Sequence, residues 1–144
     1  FWSQLAAHYK DDDRVIFGLM NEPPGPLDSE RAGVSTSTWL DVANTAIAAI
    51  RDAGATNLIL VPGNGYDGAW RWDLSGYGGS NASLMGGIVD SGNNFAYEVH
   101  QYLDLDPDSD LDFSGTLDNV DGLSTALQGL TDFAAWLREN NARG

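Results

Sequence analysis

Apolar residues in this chain gather into short dense runs, separated by polar or glycine-rich stretches. The first run, Val15-Ile16-Phe17-Gly18-Leu19-Met20, has no polar alternation and stops abruptly at Asn21-Glu22-Pro23. Such a run reads as a strand buried on both faces, the parallel-sheet pattern. Pro23 has no N–H for a ladder and disfavours helix at Glu22, so the strand ends there. An amide and a carboxylate therefore stand together at the carboxyl end of a parallel strand. In α/β folds that edge binds ligands, and a plain polar turn is the alternative reading.

The other runs supply the rest of the framework. Trp2, Leu5 and Tyr9 share one helical face, and the polar turn Asp11-Asp12-Asp13 leads into the strand. Residues 23–36 are rich in Pro, Gly and Ser and predict a loop. A helix follows over about residues 37–53 with the stripe Leu40, Ala43, Ile47 and Ile50, and Gly54 suits its C′ position. Asn57 to Pro62 reads as a second buried strand, and a glycine-rich aromatic loop runs from Gly63 to Trp72. Residues 76–94 are mostly irregular, and Asn81-Ala82-Ser83 matches a glycosylation triplet. Phe95 to Tyr102 predicts a third strand. The last helix, over about residues 123–139, carries Leu123, Leu127, Leu130, Ala134 and Leu137 on one face.

Helix and strand alternate three times, which implies parallel strands joined by crossovers. Three parallel strands are too few, since an all-parallel sheet needs both faces covered and its edges managed. The choice is between a small open α/β domain and an arc of a (β/α)8 barrel, and the arc is favoured. The opening on Phe1-Trp2 suggests a segment of something longer.

Charge narrows the partners. With 7 basic and 21 acidic residues the formal charge is −14, and such a field opposes nucleic acid and anionic membranes. No apolar run approaches the roughly 20 residues that span a bilayer. The 144 residues hold no cysteine, so disulfides and thiolate metal sites are excluded.

Three stretches offer chemistry. Glu98, His100 and Tyr102 have the same parity and project to one face of a strand. They form either a polar ladder at an exposed edge or the floor of a site inside a barrel. Tyr66, Trp70 and Trp72 crowd a loop with little core to fill. Aromatic planes of this kind suit the C–H faces of sugar rings, and the alternative is a lid packing its own indoles. The acidic loop Asp104 to Asp112 lacks the Gly and Glu of a calcium loop and reads as solvated charge. No nucleophile elbow, phosphate loop or zinc spacing is present.

The segments FWSQLAAHYKDDDRVIFGLMNEP, AIAAIRDAGATNLILVPGN, YEVHQYLD and LTDFAAWLRENN resemble, in order and over nearly the whole chain, glycoside hydrolase family 5 and its endo-β-1,4-glucanases (cellulases). The resemblance implies that residues 1–144 are a partial catalytic domain of TIM (β/α)8-barrel fold. They would be an incomplete arc of about three β/α units, strands 4 to 6. It implies Glu22 as general acid/base and Asn21 as the residue holding the sugar 2-hydroxyl. His100 and Tyr102 match site residues on strand 6, and Trp70 and Trp72, with Tyr66, match the sugar-binding loop after strand 5. The implied protein is secreted and monomeric, takes a β-glucan polysaccharide, and needs neither metal nor organic cofactor. Retaining hydrolysis requires a second carboxylate about 5 Å away as nucleophile. The family places it at the end of strand 7, after Gly144, so the chain by itself is expected to be inactive. Glu98 suits a supporting role. Two other classes stand beside this reading: a carbohydrate-binding module using the Trp loop, and a small doubly wound interaction domain.

Overall fold

The computed structural model describes residues 1–26, 33–104 and 120–144. Three short parallel strands, β1 (Phe17–Gly18), β2 (Ile59–Pro62) and β3 (Phe95–Glu98), form one sheet in sequence order. The register pairs Phe17 with Ile59 and Ile59 with Phe95, and the last rung joins Pro62 to Glu98. The α-helices among the described residues are α1 (Trp2–Tyr9), α2 (Thr36–Asp52), α3 (Asn81–Leu84) and α4 (Val120–Glu139).

One apolar cluster joins these elements. Phe17, Ile59, Val61 and Tyr97 of the sheet meet Ala6 of α1, Ala43, Ile47 and Ile50 of α2, and Phe133 and Trp136 of α4. The opposite face of β1 is open. Ile16 and Met20, which alternate with buried Phe17 and Leu19, are about half exposed. The expectation of a strand buried on both faces is not met for β1, because among the described residues helices cover only one face of the sheet.

Local chemistry explains the ends of α2. Ser35 caps it by accepting from the Thr38 N–H at 3.2 Å. At the other end, Gly54 takes φ +86°, the Gly54 N–H reaches the Arg51 carbonyl and the Ala55 N–H reaches Ile50. Those two bonds make a Schellman stop that needs the left-handed residue only glycine adopts freely. Trp39, absent from the stripe expected for this helix, is buried and donates its indole N–H to the Pro62 carbonyl at 2.8 Å.

The buried side of α4 also departs from expectation. Ala126, Phe133 and Trp136 are buried, whereas Leu127 and Leu130 are exposed. Gly129 accounts for the choice. A Cβ there would stand 2.6 Å from the Trp70 Cα, so the helix lies directly on the loop after β2 through its glycine face. The aromatic residues one turn further on then fill the space beneath.

At the amino ends of the strands, Arg51 acts as a clamp. It grips Asp90 through two bonds of 2.6 and 2.9 Å and donates to the carbonyls of Ala55, Asn57 and Asn94. Asn57 in turn donates to the carbonyls of Asp12 and Val15. The beginnings of all three strands are thereby tied together at the edge opposite the candidate site.

Candidate active site

The three strands deliver side chains to their carboxyl edge. Glu22 follows β1, Asp67 lies in the turn after β2, and His100 stands two residues beyond β3. Backbone bonds lock these segments to each other. The Tyr66 N–H donates to the Pro23 carbonyl at 2.9 Å, the His100 N–H donates to the Asp67 carbonyl at 3.0 Å, and the Ala69 N–H donates to the His100 carbonyl at 3.0 Å. Gly68 and His100 form a further parallel bridge. Glu22, Tyr66 and Asp67 all adopt left-handed backbone, with φ of 47°, 62° and 44°. Each such non-glycine residue costs about 1–3 kcal/mol, a strain that recurs where side chains are aimed at a site.

The side chains converge on the imidazole of His100. Its Nδ1 lies 2.9 Å from Glu22 Oε1 and 3.4 Å from Asp67 Oδ1, and its Nε2 lies 3.6 Å from Glu98 Oε1. The hydrogen bond to Glu22 raises the His100 pKa despite some desolvation, and the negative charges of Asp67, Glu22 and Glu98 add to the rise. Asp67 is 0% exposed, and burial pushes its carboxyl up to about 7, partly offset by His100 and reinforced by Glu98 and Glu22. The arrangement can hold a proton between a carboxylate and an imidazole at the carboxyl edge of the sheet. It offers no nucleophilic hydroxyl or thiol.

Several expected site residues take their places here and others do not. Asn21 is exposed beside Glu22. Tyr66 and Trp70 are partly exposed in the loop after β2, with the Arg71 guanidinium 4.1 Å from the Trp70 ring centre. Trp72 is the correction. It is 1% exposed and packs edge-on against Tyr97, Phe133 and Trp136 with centroids 5.8, 4.7 and 5.0 Å away, so no sugar can reach it. Tyr102 does not sit on the ladder, because β3 ends at Glu98, and it is 52% exposed. The glycosylation triplet is closed as well, since Asn81 is buried and pairs with both backbone groups of Asn64 at 2.8 and 3.0 Å. The acidic loop after Asp104 lies outside the described residues.

Asp67 is the residue that sequence reasoning passed over. It stood among glycines and aromatics as one more turn acid, and only its left-handed turn and the bridge to His100 bring it inside. The signal available was its place in the loop after the second strand.

A parallel α/β sheet with a carboxylate–imidazole pair at its carboxyl edge is the design of barrel-type enzymes, whose sites lie on that edge. The chain belongs to the glycosyl hydrolase family 5 cellulases, whose family model matches residues 1–144. It is 42% identical to Endoglucanase 1 of Robillarda sp. over 144 residues, 99% of this chain and 32% of the relative. Endoglucanase EG-II of Hypocrea jecorina is 36% identical over 144 residues, 97% of this chain and 30% of its own. Among solved structures, an endo-β-1,4-glucanase from Xanthomonas axonopodis pv. citri superposes with a TM-score of 0.81 at 46% identity, covering 99% of this chain and 41% of that one. XacCel5A in complex with cellopentaose gives a TM-score of 0.80 at 45% identity, with the same coverage. The chain thus spans about a third of the length of the curated relatives it matches. Among the described residues no helix is long and apolar enough to cross a membrane.

Proposed function

We propose that this chain supplies the acid/base half of a retaining endo-β-1,4-glucanase site. The observation that carries the reading is Glu22, left-handed in the segment after β1 and held at 2.9 Å by the imidazole of His100, just beyond β3. Family membership and the endoglucanase relatives support the substrate, internal β-1,4-glucosidic bonds of cellulose or related β-glucans. Residues 1–144 are then a partial catalytic domain, the arc of a (β/α)8 barrel from the helix before strand 4 to the helix after strand 6.

In the first step Glu22 gives a proton to the departing glycosidic oxygen while a second carboxylate attacks the anomeric carbon. In the second it takes a proton from the water that releases the sugar. His100 orients Glu22, Asn21 holds the neighbouring 2-hydroxyl, and Tyr102 stands towards the nucleophile. Trp70 and Tyr66 are the aromatic contacts for sugar rings, and Trp72 supports them from beneath. The nucleophile is a glutamate beyond Gly144, so the segment alone is inactive. The parent protein is a secreted monomer.

The test is Glu22→Gln in the full-length protein. Turnover of a β-glucan should fall by about 10²–10⁴-fold, the usual worth of a positioned acid. An aryl β-cellobioside with a good leaving group needs little protonation, so its first step should fall much less. Equal losses on both substrates would remove Glu22 from the acid role. Turnover of soluble glucan by the 144-residue segment would overturn the half-site reading. The binding-module alternative has lost ground, because one of its two indoles is buried.

A further inference from the structure

Hydrolysis as just described leaves Asp67 without a part. Its carboxylate is fully enclosed, and neither oxygen has a hydrogen-bond partner. An enclosed carboxylate without a donor is costly to keep, and such groups are normally completed by a proton donor or a cation. Its Oδ1 lies 3.4 Å from His100 Nδ1, the same nitrogen that Glu22 Oε1 approaches at 2.9 Å. One donor atom each from Glu22, Asp67 and His100 thus lie within 4.8 Å of one another.

Three features of this cluster match metal ligation. First-row divalent cations bind imidazole nitrogen and carboxylate oxygen at about 2.0–2.2 Å, so neighbouring donors around one ion stand about 3 Å apart. Two of the three edges here are already that length, and rotation of the partly exposed Glu22 side chain shortens the third. Next, Glu98 faces the other imidazole nitrogen at 3.6 Å. A carboxylate there favours a proton on Nε2 once the ion has displaced the one at Nδ1. Finally, the Glu22 and His100 side chains are 27% and 32% exposed, so an ion can enter from solvent and reach the enclosed oxygen behind them.

We propose that Glu22, Asp67 and His100 form a site for a divalent first-row transition cation, with Zn²⁺ the best match. One nitrogen and two oxygens suit zinc, whereas magnesium and calcium prefer all-oxygen shells. The ion occupies the place of the proton that Glu22 and His100 otherwise share, so the two exclude each other. Binding follows from the donor set alone. Its consequence, inhibition of hydrolysis, rests on the acid/base role proposed for Glu22.

The test titrates chelator-treated full-length protein with Zn²⁺ by calorimetry and follows the imidazole NMR signals of the chain's histidines, His8 and His100. One Zn²⁺ should bind at this site, moving the His100 signals and sparing those of His8. Asp67→Asn and Glu22→Gln should each weaken binding at least about tenfold. Glu22 is partly exposed, so its variant folds even where the change at buried Asp67 does not. Unmoved His100 signals, or an affinity unchanged in Glu22→Gln, would overturn the proposal and place the ion on the acidic surface. Binding at His100 with undiminished hydrolysis would uphold the cation site and tell against Glu22 as the acid.

Discussion

Two tryptophans two positions apart show how much a single residue's surroundings decide. Trp70 and Trp72 flank Arg71 in the same loop, yet Trp72 turns under the loop into a cluster with Tyr97, Phe133 and Trp136 while Trp70 stays partly exposed. Trp72→Ala should therefore cost about 3–5 kcal/mol of stability, seen as a lower denaturant midpoint, because a large core side chain leaves a cavity. Trp70→Ala should leave the midpoint nearly unchanged and weaken binding of cello-oligosaccharides. A reversed pattern would exchange their roles. The left-handed turns at Glu22 and Asp67 belong to the same scale, since they aim two carboxylates at one imidazole.

Among elements, the clamp made by Arg51 matters most. From the end of α2 it holds Asp90 and the carbonyls that begin β2 and β3, with its side chain 6% exposed and that of Asp90 fully enclosed. Removing one partner of a buried pair leaves the other uncompensated, so Arg51→Met should cost about 3–5 kcal/mol in a denaturant titration. The guanidinium, helped by backbone donors at Asn94 and Gly92, depresses the Asp90 carboxyl to about 2. A carboxyl depressed in the folded state stabilises it above the unfolded pKa and loses that effect as pH falls through the folded value. The wild-type protein should thus lose about 2 kcal/mol between pH 4 and pH 2 on this account. Arg51→Met should lose much less over the same interval. An unchanged acid limb in the variant would assign the acid sensitivity elsewhere.

At the scale of the whole molecule, the open face of the sheet is the telling feature. The chain covers about a third of its relatives' length, and Ile16 and Met20 stand half exposed on the face of β1 opposite the helices. In a closed barrel that face is the packed interior. Ile16→Asp should therefore change the stability of the isolated segment little, while costing the full-length protein several kcal/mol for a charge buried without a partner. Equal effects in both would mean that the remaining strands do not close over this face.

Sequence by itself determined the order of elements and the position of Glu22. A continuous apolar run followed by Asn-Glu-Pro puts Glu22 beyond the carboxyl end of a strand, although β1 itself stops at Gly18, before Pro23, and the alternation through Glu98 and His100 puts both on one face. These are local consequences of backbone chemistry and side-chain period, legible without a fold. The stripe of α2 was legible too, because its apolar spacing follows its own helical turn. What only tertiary structure decided depends on neighbours far along the chain. Leu127 and Leu130 of the α4 stripe lost their burial to the face carrying Gly129 and Trp136, while Leu137 stays packed against the core, since a close backbone approach to Trp70 outweighs leucine content. Asp67 joined the site because its backbone pairs with His100, far along the sequence, a bond no local pattern announces. Burial is a property of the partner as much as of the residue, and for Trp72 and Asp67 the partners came from β3, the segment after it and α4.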